Sequence, residues 1–451
     1  MKDWTPVSWQ RMSAAQQPHY EDPGALNVAL ERLAAFPPLV TSWEVERLKK
    51  QLGEAAAGQR FLLQGGACAE SFRQCRSEVI TNKLKILLQM SLVLTFGIKR
   101  QIIRVGRFAG QYAKPRSSDS ECRGDVTLPT YRGDLVNAPE FSLEARRPDP
   151  ERLISGYQHS ALTLNFIRAL VDGGFADLHH PEYWDLDFVV HSSRAREYQS
   201  MVETISDSLR FMETLAGIQA GQISRVDFFT SHEGLHLGYE QAQTRKVPHK
   251  AGWFNLSTHF PWLGVRTSDP GGAHVEYFRG IVNPIGIKIG PEMTSQWLGD
   301  LLRILDPEKE PGRVTLIHRL GHRRVAKILP GLVECVRSLD HPVVWCCDPM
   351  HGNTETTGEG IKTRHFDNIL SELEQSFDIH RDCGSYLGGV HFELSGENVT
   401  ECIGGARGLS EEDLRRSYRS LVDPRLNYEQ SLEMALRVAR KMAAVNGFTE
   451  K

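Results

Sequence analysis

The sequence lacks the features that would direct a chain out of the cell or into a membrane. It opens with MKDWTPVSWQRM, which has no apolar signal-peptide core. The most apolar segment, ILLQMSLVLTFGI from Ile86, is shorter than the roughly 20 residues that span a bilayer. The eight cysteines show no CxxC pair and no regular spacing, so they do not form a disulfide framework. We therefore expect a cytoplasmic protein with reduced thiols, in which the apolar segment is a buried helix.

The chain also has no large excess of positive or negative charge. The chain has 53 Lys and Arg against 56 Asp and Glu, for a net charge of -3. This balance gives no reason to expect a nucleic-acid or membrane partner. We find no internal repeat or low-complexity tract, and 40% of the 451 residues are hydrophobic. That composition is typical of a globular protein with a large core.

What the sequence does contain is a repeated pattern of short apolar runs separated by helix-length segments. The runs are FLLQGG, QIIRVGR, RVDFFTSHE, GWFNLSTHF, PIGIKIGP, RVTLIHRLG, PVVWCCDP and GGVHFELSG, beginning at Phe61, Gln101, Arg225, Gly252, Pro284, Arg313, Pro342 and Gly388. Continuous apolar runs that end in Gly, Pro or polar residues indicate parallel strands buried on both faces. Eight such strands predict a (β/α)₈ TIM barrel, an α/β fold.

We expect one barrel domain over residues 1–451, with two additions. Residues 1–58 form an N-terminal extension, and helices are inserted at about 150–222, between strands 2 and 3. Within the insertion, apolar residues recur at helical spacing from Tyr198 to Leu215. We interpret them as a packing surface; an interface or effector site is the alternative.

The active site of such a barrel lies at the carboxyl ends of its strands. One set of residues near those ends combines a thiol, an imidazole and two carboxylates: Cys68, His351, Glu393 and Asp423. Each residue alone is explained by a structural role, such as a buried thiol or a turn histidine. Together they form a mixed soft and hard donor set that suits Mn²⁺, Co²⁺, Fe²⁺ or Zn²⁺.

A second set of residues near the strand ends is cationic: Arg107, Lys114, Arg116, Arg266, Lys288 and Arg319. A single surface Arg or Lys needs no function, but Lys288 is embedded in the apolar run PIGIKIGP, where a structural strand would carry an apolar residue. Guanidinium and ammonium groups bind carboxylate and phosphate oxygens. The set predicts a small polyanionic substrate.

Several motifs resemble those of the type II, plant-like 3-deoxy-D-arabino-heptulosonate 7-phosphate (DAHP) synthases. They are GGACAESF, VGRFAGQYAKPRS, SHEGLHLGYE, WLGVRT, NPIGIKIGP, CDPMHGNT, GGVHFELSGENVTECIGG and DPRLNYEQSLE, in the family's order and over nearly the whole chain. The resemblance implies a metal-dependent barrel enzyme that joins phosphoenolpyruvate to erythrose 4-phosphate at the entrance to the shikimate pathway. Mn²⁺ or Co²⁺ is the expected metal, with Zn²⁺ or Fe²⁺ as alternatives.

The resemblance also implies a role for each candidate residue. The metal ligands are Cys68, His351, Glu393 and Asp423, and the residues that hold phosphoenolpyruvate are Arg107, Lys114, Arg266, Lys288 and Arg319. Arg116, Ser117 and Lys362 bind the aldose phosphate, with Glu233 nearby. Catalytic roles fall to Lys114, Arg107 and Arg319, with Lys114 as the candidate proton carrier. A homo-oligomer is expected, with a chorismate mutase as a candidate partner.

The chain departs from the family pattern at three places. Ala67 stands where the family has an acidic residue, Val265 stands where it has glutamate, and HRLGHRR follows the sixth predicted strand. Loss of two carboxylates changes the local electrostatics of the predicted site. Two alternatives follow: an aminoDAHP synthase or a related enzyme with a modified aldose phosphate, and a metabolite-binding regulator without turnover. Retention of all four candidate ligands favours an enzyme.

Overall fold

The predicted TIM barrel is confirmed by the computed structural model, which describes residues 4–173 and 227–445. Eight parallel strands pair in sequence order, and the last closes the barrel on the first. They are β1 (Arg60–Gly66), β2 (Gln101–Arg107), β3 (Phe228–Glu233), β4 (Phe260–Leu263), β5 (Ile285–Ile289), β6 (Val314–His318), β7 (Val344–Cys347) and β8 (Leu387–Glu393).

In the described part of the chain, helices surround the barrel and three short antiparallel strand pairs lie outside it. The helices are α1 (Pro23–Ala35), α2 (Ser42–Ala56), α3 (Ser77–Ile98), α4 (Leu143–Arg146), α5 (Glu151–Asp172), α6 (Leu237–Ala242), α7 (Ala273–Phe278), α8 (Ser295–Leu305), α9 (Val325–Leu339), α10 (Phe366–Asp382) and α11 (Tyr428–Val445). The strand pairs join Ser120–Arg123 to Val126–Pro129, Thr244–Arg245 to Phe254–Asn255, and Thr354–Thr356 to Lys362–Arg364.

The predicted position of the fourth strand is wrong. The run GWFNLSTHF from Gly252 shares only Phe260 with β4, and Phe254–Asn255 pairs antiparallel with Thr244–Arg245 instead. The barrel strand has the sequence FPWL, and its proline has no N–H to donate. The run predicted from the sequence therefore ends at Phe260, where the barrel strand begins.

Helix α2 in the N-terminal extension closes one end of the barrel. Its residues Leu48, Leu52 and Ala55 are fully buried and belong to the same apolar cluster as barrel-interior residues from β1, β2, β3, β4, β6 and β7. The helix begins at a capping box, in which Thr41 and Glu44 each satisfy a backbone N–H of the other. The amino-terminal end of the barrel is therefore packed, and the carboxyl end is left to bind ligands.

The apolar segment from Ile86 lies in α3, and its assignment as a buried helix is confirmed. By length and composition alone α3 is long enough to cross a membrane, but 67% of its most apolar window is buried inside the protein. It packs closely on α11, since a Cβ on Gly97 would collide with the Cβ of Ala439. These are the properties of a core helix.

The predicted division into one domain with two additions stays a prediction. Helix α5 lies in the predicted insertion and is the part of it that the structure describes. The run of apolar residues from Tyr198 to Leu215 lies outside the described residues.

Candidate metal centre and anion-binding cavity

A cavity of about 440 Å³ lies at the carboxyl ends of the barrel strands. Twelve of the thirteen predicted site residues line it: Cys68, Arg107, Lys114, Arg116, Ser117, Glu233, Arg266, Lys288, Arg319, His351, Lys362 and Asp423. The thirteenth, Glu393, is the fully buried last residue of β8. The structure thus brings together residues that are far apart in the sequence, because parallel strands of a barrel end on one side.

The four predicted metal ligands meet at one corner of this region. The sulfur of Cys68, a ring nitrogen of His351 and one carboxylate oxygen each of Glu393 and Asp423 all lie within 4.8 Å of one another. Cys68 follows β1, His351 begins a 3₁₀ turn after β7, and Asp423 precedes α11. The donor set fits a divalent transition ion by its chemistry and its spacing. Coordination by these residues stays a prediction.

Two carboxylates orient the imidazole of His351. Its Nε2 lies 2.9 Å from a Glu393 oxygen, and its Nδ1 lies 2.7 Å from Oδ2 of Asp348. Asp348 is buried, which alone would raise its pKa, but His351 and Lys288 hold that pKa well below the usual range. A carboxylate on the far nitrogen of a metal-binding histidine fixes the ring and raises its basicity. Asp348 is placed to do this for His351.

Buried arginines hold Glu393 in its ionised form. Arg364 donates to its Oε2 at 2.6 Å, and Arg107 donates to its Oε1 at 3.3 Å. Burial would raise the pKa of Glu393, yet the charges of His351 and Arg364 lower it well below the usual range. Glu393 therefore offers an ionised oxygen to a cation at a position buried from solvent.

The thiol of Cys68 lies between Lys114 and Asp423. Lys114 Nζ donates to the sulfur at 2.6 Å, the thiol donates to Asp423 at 3.3 Å, and Lys114 also pairs directly with Asp423. Burial and the Glu393 charge raise the pKa of Cys68, and Lys114 offsets only part of this. Since a coordinating thiol is deprotonated outright, an ion bound here would release the Cys68 proton.

Positive charge dominates the cavity. Its lining includes seven cations, namely Arg107, Lys114, Arg116, Arg266, Lys288, Arg319 and Lys362, against three carboxylates, Glu121, Glu233 and Asp423. Among the residues that the structure describes, no hydrogen bond or ion pair is formed by the side chains of Arg116 and Arg319. An excess of four positive charges in a small cavity favours a ligand with several negative charges.

Glu233 is the unusual carboxylate of this wall. Its Oε1 is buried and has no hydrogen-bond partner in the described part of the chain. Burial raises its pKa, although Arg107 and Lys288 act in the opposite direction. A carboxyl group of this kind is suited to exchange a proton with a ligand. Its role stays a prediction.

Sequence reasoning missed the residues that support the site from behind. Asp348 carries a detectable signal, since it lies three residues before His351 and follows β7 directly. Arg364 and His391 carry none, because Arg364 lies on a short hairpin and His391 lies inside β8. Nε2 of His391 accepts a hydrogen bond from Arg107 at 2.8 Å, and its Nδ1 donates to Oε1 of Gln64 at 2.9 Å, so His391 helps to fix Arg107.

Glu372, on helix α10, was also missed. Its Oε1 accepts the backbone N–H groups of Leu320 and Gly321 at 2.8 and 2.9 Å, just after Arg319. Its Oε2 accepts from the side-chain amide of Asn353 at 2.7 Å, two residues after His351. The loops that carry Arg319 and His351 are therefore joined through one buried carboxylate.

The departures from the family pattern lie at different depths. Val265 lines the cavity beside Arg266, in a 3₁₀ turn after β4. Ala67 is 1% exposed and does not line the cavity. A changed electrostatic environment is thus expected from the residue at 265 more than from the residue at 67.

Comparison with known proteins supplies an independent line of information. The model of the class-II DAHP synthetase family matches residues 4–439. A phospho-2-dehydro-3-deoxyheptonate aldolase of Neurospora crassa is 48% identical over 452 aligned positions, which cover 97% of this chain and 94% of the relative. A protein of the same name from Streptomyces coelicolor is 45% identical, with 96% of each chain covered.

Proposed function

Since the chain belongs to the class-II DAHP synthetase family, we propose that it is a DAHP synthase. It condenses phosphoenolpyruvate with erythrose 4-phosphate, consumes one water and releases DAHP and phosphate. This is the first step of the shikimate pathway. The observation that carries the proposal is that a cluster of four potential metal ligands lies at a cavity lined by seven cations and three carboxylates.

We infer that five cations hold phosphoenolpyruvate: Arg107, Lys114, Arg266, Lys288 and Arg319. The substrate has a carboxylate and a phosphate, and the side chain of Arg319 has no hydrogen-bond or ion-pair partner among the described residues. Arg116, Ser117 and Lys362 bind the phosphate of the aldose on the outer side. Fixing both substrates removes much of the entropic barrier of a two-substrate reaction, for which well-oriented systems gain about 7–11 kcal/mol.

The predicted ligands Cys68, His351, Glu393 and Asp423 would hold the divalent metal that the family implies. When bound, it supplies Lewis acidity toward the aldehyde oxygen of the aldose. Carbon 3 of phosphoenolpyruvate forms a bond to the aldehyde carbon, water adds at carbon 2, and phosphate leaves by cleavage of the bond between carbon 2 and oxygen. Lys114 is the proposed proton donor, since its ammonium lies at this corner of the cavity.

Acceptor specificity is the direct test of this function. We expect purified protein with Mn²⁺ or Co²⁺ to release phosphate from phosphoenolpyruvate when erythrose 4-phosphate is present, and to form a product with the mass of DAHP. The measurement is a phosphate-release assay with mass spectrometry over a panel of aldose phosphates. Turnover only with an amino or imino analogue, or no turnover with any acceptor, would contradict the proposal.

Removal of metal is expected to abolish turnover reversibly. A chelator should reduce the rate to background, and Mn²⁺ or Co²⁺ should restore it. Mg²⁺ should restore the least, since this hard ion prefers oxygen ligands and the cluster contains a thiol and an imidazole. Full activity after exhaustive chelation, checked by elemental analysis, would refute metal dependence.

A substitution of Ser117, in the outer part of the cavity, is expected to have a smaller effect on the kinetics. Ser117 accepts a hydrogen bond from Arg266 at 2.8 Å. Ser117→Ala removes one neutral contact, so KM for erythrose 4-phosphate should rise by about fivefold, in line with about 1 kcal/mol for such a bond. KM for phosphoenolpyruvate should change by less than about twofold. Equal changes in both values would argue against an acceptor role for Ser117.

The remaining predictions concern the cell and the assembly. All eight cysteines are free thiols in the structure, which supports the proposed reducing cytoplasm. A homo-oligomer and a chorismate mutase partner stay predictions from the family resemblance. Light scattering of the purified protein, alone and with the mutase, tests both.

A further inference from the structure

A second cluster of potential metal ligands lies behind the barrel wall, between β6, β7 and α10. His318 ends β6 and Cys347 ends β7, and the two residues are direct partners in the strand pairing. Their preceding neighbours, Ile317 and Cys346, belong to the barrel-interior cluster. Since side chains alternate along a strand, His318 and Cys347 point outward to α10, which contributes Glu372. This cluster therefore lies on the opposite side of the strands from the barrel interior.

The three side chains lie close together and are buried from solvent. A ring nitrogen of His318, the sulfur of Cys347 and a carboxylate oxygen of Glu372 lie within 4.8 Å of one another. All three residues are 0% exposed. An ion held here would have three protein ligands of the types that zinc and cobalt prefer: nitrogen, sulfur and oxygen.

The imidazole of His318 is the observation that points to a ligand. Neither of its ring nitrogens has a hydrogen-bond partner among residues 4–173 and 227–445. Its neighbours are aromatic: the rings of Trp345 and His380 lie with centroids 6.3 and 5.9 Å away. A buried polar group without a partner costs about 1–3 kcal/mol, so it calls for a bound ion or water as its explanation.

The carboxylate of Glu372 has no cationic partner among the described residues. It accepts three hydrogen bonds, from Leu320 N, Gly321 N and the Asn353 amide, and all three donors are neutral. Burial raises its pKa to about 7, and the nearby charge of Asp348 adds to the rise. A carboxylate offers about four acceptor positions, so one remains for an ion.

We propose that His318, Cys347 and Glu372 bind a second divalent transition ion of the Zn²⁺ or Co²⁺ class, distinct from the ion at Cys68. Binding displaces the Cys347 proton to solvent, together with the proton of Glu372 in the molecules where that group is protonated, and the resulting thiolate and carboxylate neutralise the two positive charges of the ion. A neutral assembly is suited to a fully buried position. The ion would join β6, β7 and α10 and so support the loops that carry Arg319 and His351.

The test measures metal content and spectra instead of turnover, so its result is independent of the proposed reaction. The full-length double variant Cys68→Ala/His351→Ala removes two ligands of the first cluster. After loading with Co²⁺ and gel filtration, we expect one cobalt per chain by elemental analysis and a thiolate-to-cobalt charge-transfer band. X-ray absorption should report one sulfur ligand. A double variant that holds no cobalt, or holds it without sulfur, overturns the proposal.

A matched pair of cysteines locates the sulfur. Adding Cys347→Ala to the double variant should reduce bound cobalt at least tenfold and remove the charge-transfer band. Adding Cys346→Ala deletes an equally buried thiol on the other face of the same strand and should leave both unchanged. Circular dichroism confirms that each variant is folded. If the variant with Cys347→Ala does not fold, the cobalt content, the charge-transfer band and the X-ray absorption of the double variant test the proposal. A band that survives Cys347→Ala refutes the site.

Discussion

Cys68→Ala is expected to reduce kcat by at least about 10³-fold while the protein stays folded. The substitution removes the thiol from a set of four donor atoms that lie within 4.8 Å. Loss of Lewis-acid stabilisation is worth several kcal/mol, and each 1.36 kcal/mol is a tenfold change in rate. Steady-state kinetics with Mn²⁺ at increasing concentration measures the effect, because a weakened site requires more metal.

The control is Cys383→Ala, which removes a partly buried thiol directly after α10. It should leave kcat and the apparent metal affinity within about twofold of the original protein. The Cys68→Ala protein should still bind phosphoenolpyruvate, as measured by calorimetry, because the cations are intact. A Cys68→Ala protein with normal kcat at low metal concentration would contradict the assignment.

Lys288→Met is expected to impair both substrate binding and stability. Lys288 is 5% exposed and pairs with the fully buried Asp348. Removing one partner of a buried ion pair costs about 3–5 kcal/mol, and His351 can compensate Asp348 only in part. We therefore expect kcat/KM for phosphoenolpyruvate to fall at least about 10²-fold, and the free energy of unfolding in urea to fall by about 3 kcal/mol.

Lys441→Met is the matched comparison. It removes an ion pair with Asp378, at 2.7 Å, near the surface of the protein. Such pairs contribute about 0–1 kcal/mol, so stability and kinetics should change little. If Lys288→Met bound phosphoenolpyruvate normally and lost only stability, Lys288 would be a structural residue and not part of the substrate site.

The barrel is predictable from the sequence because parallel strands buried on both faces appear as continuous apolar runs. Seven of the eight runs overlap barrel strands through their central residues. The fourth fails because Pro261 interrupts the pattern and Phe254 forms a different pair. Local periodicity does not reveal which partner a short segment finds.

The sequence predicts which candidate residues lie near the barrel rim, but it does not predict the buried residues that hold them in place. Cys68 and His351 follow apolar runs, the cations lie in such runs or after them, and the closed barrel brings the ends of the runs to one rim. Arg364 and Glu372 belong to a hairpin and a helix whose sequences look like ordinary surface segments. Their burial depends on tertiary packing, which sequence spacing does not encode.

The most direct test of the central claim is anomalous diffraction at the manganese edge from crystals grown with Mn²⁺ and phosphoenolpyruvate. We predict a peak in contact with Cys68, His351, Glu393 and Asp423, and phosphoenolpyruvate beside it on Arg319 and Lys288. A map without a peak between those four side chains, from crystals whose protein turns over substrate, would contradict the account.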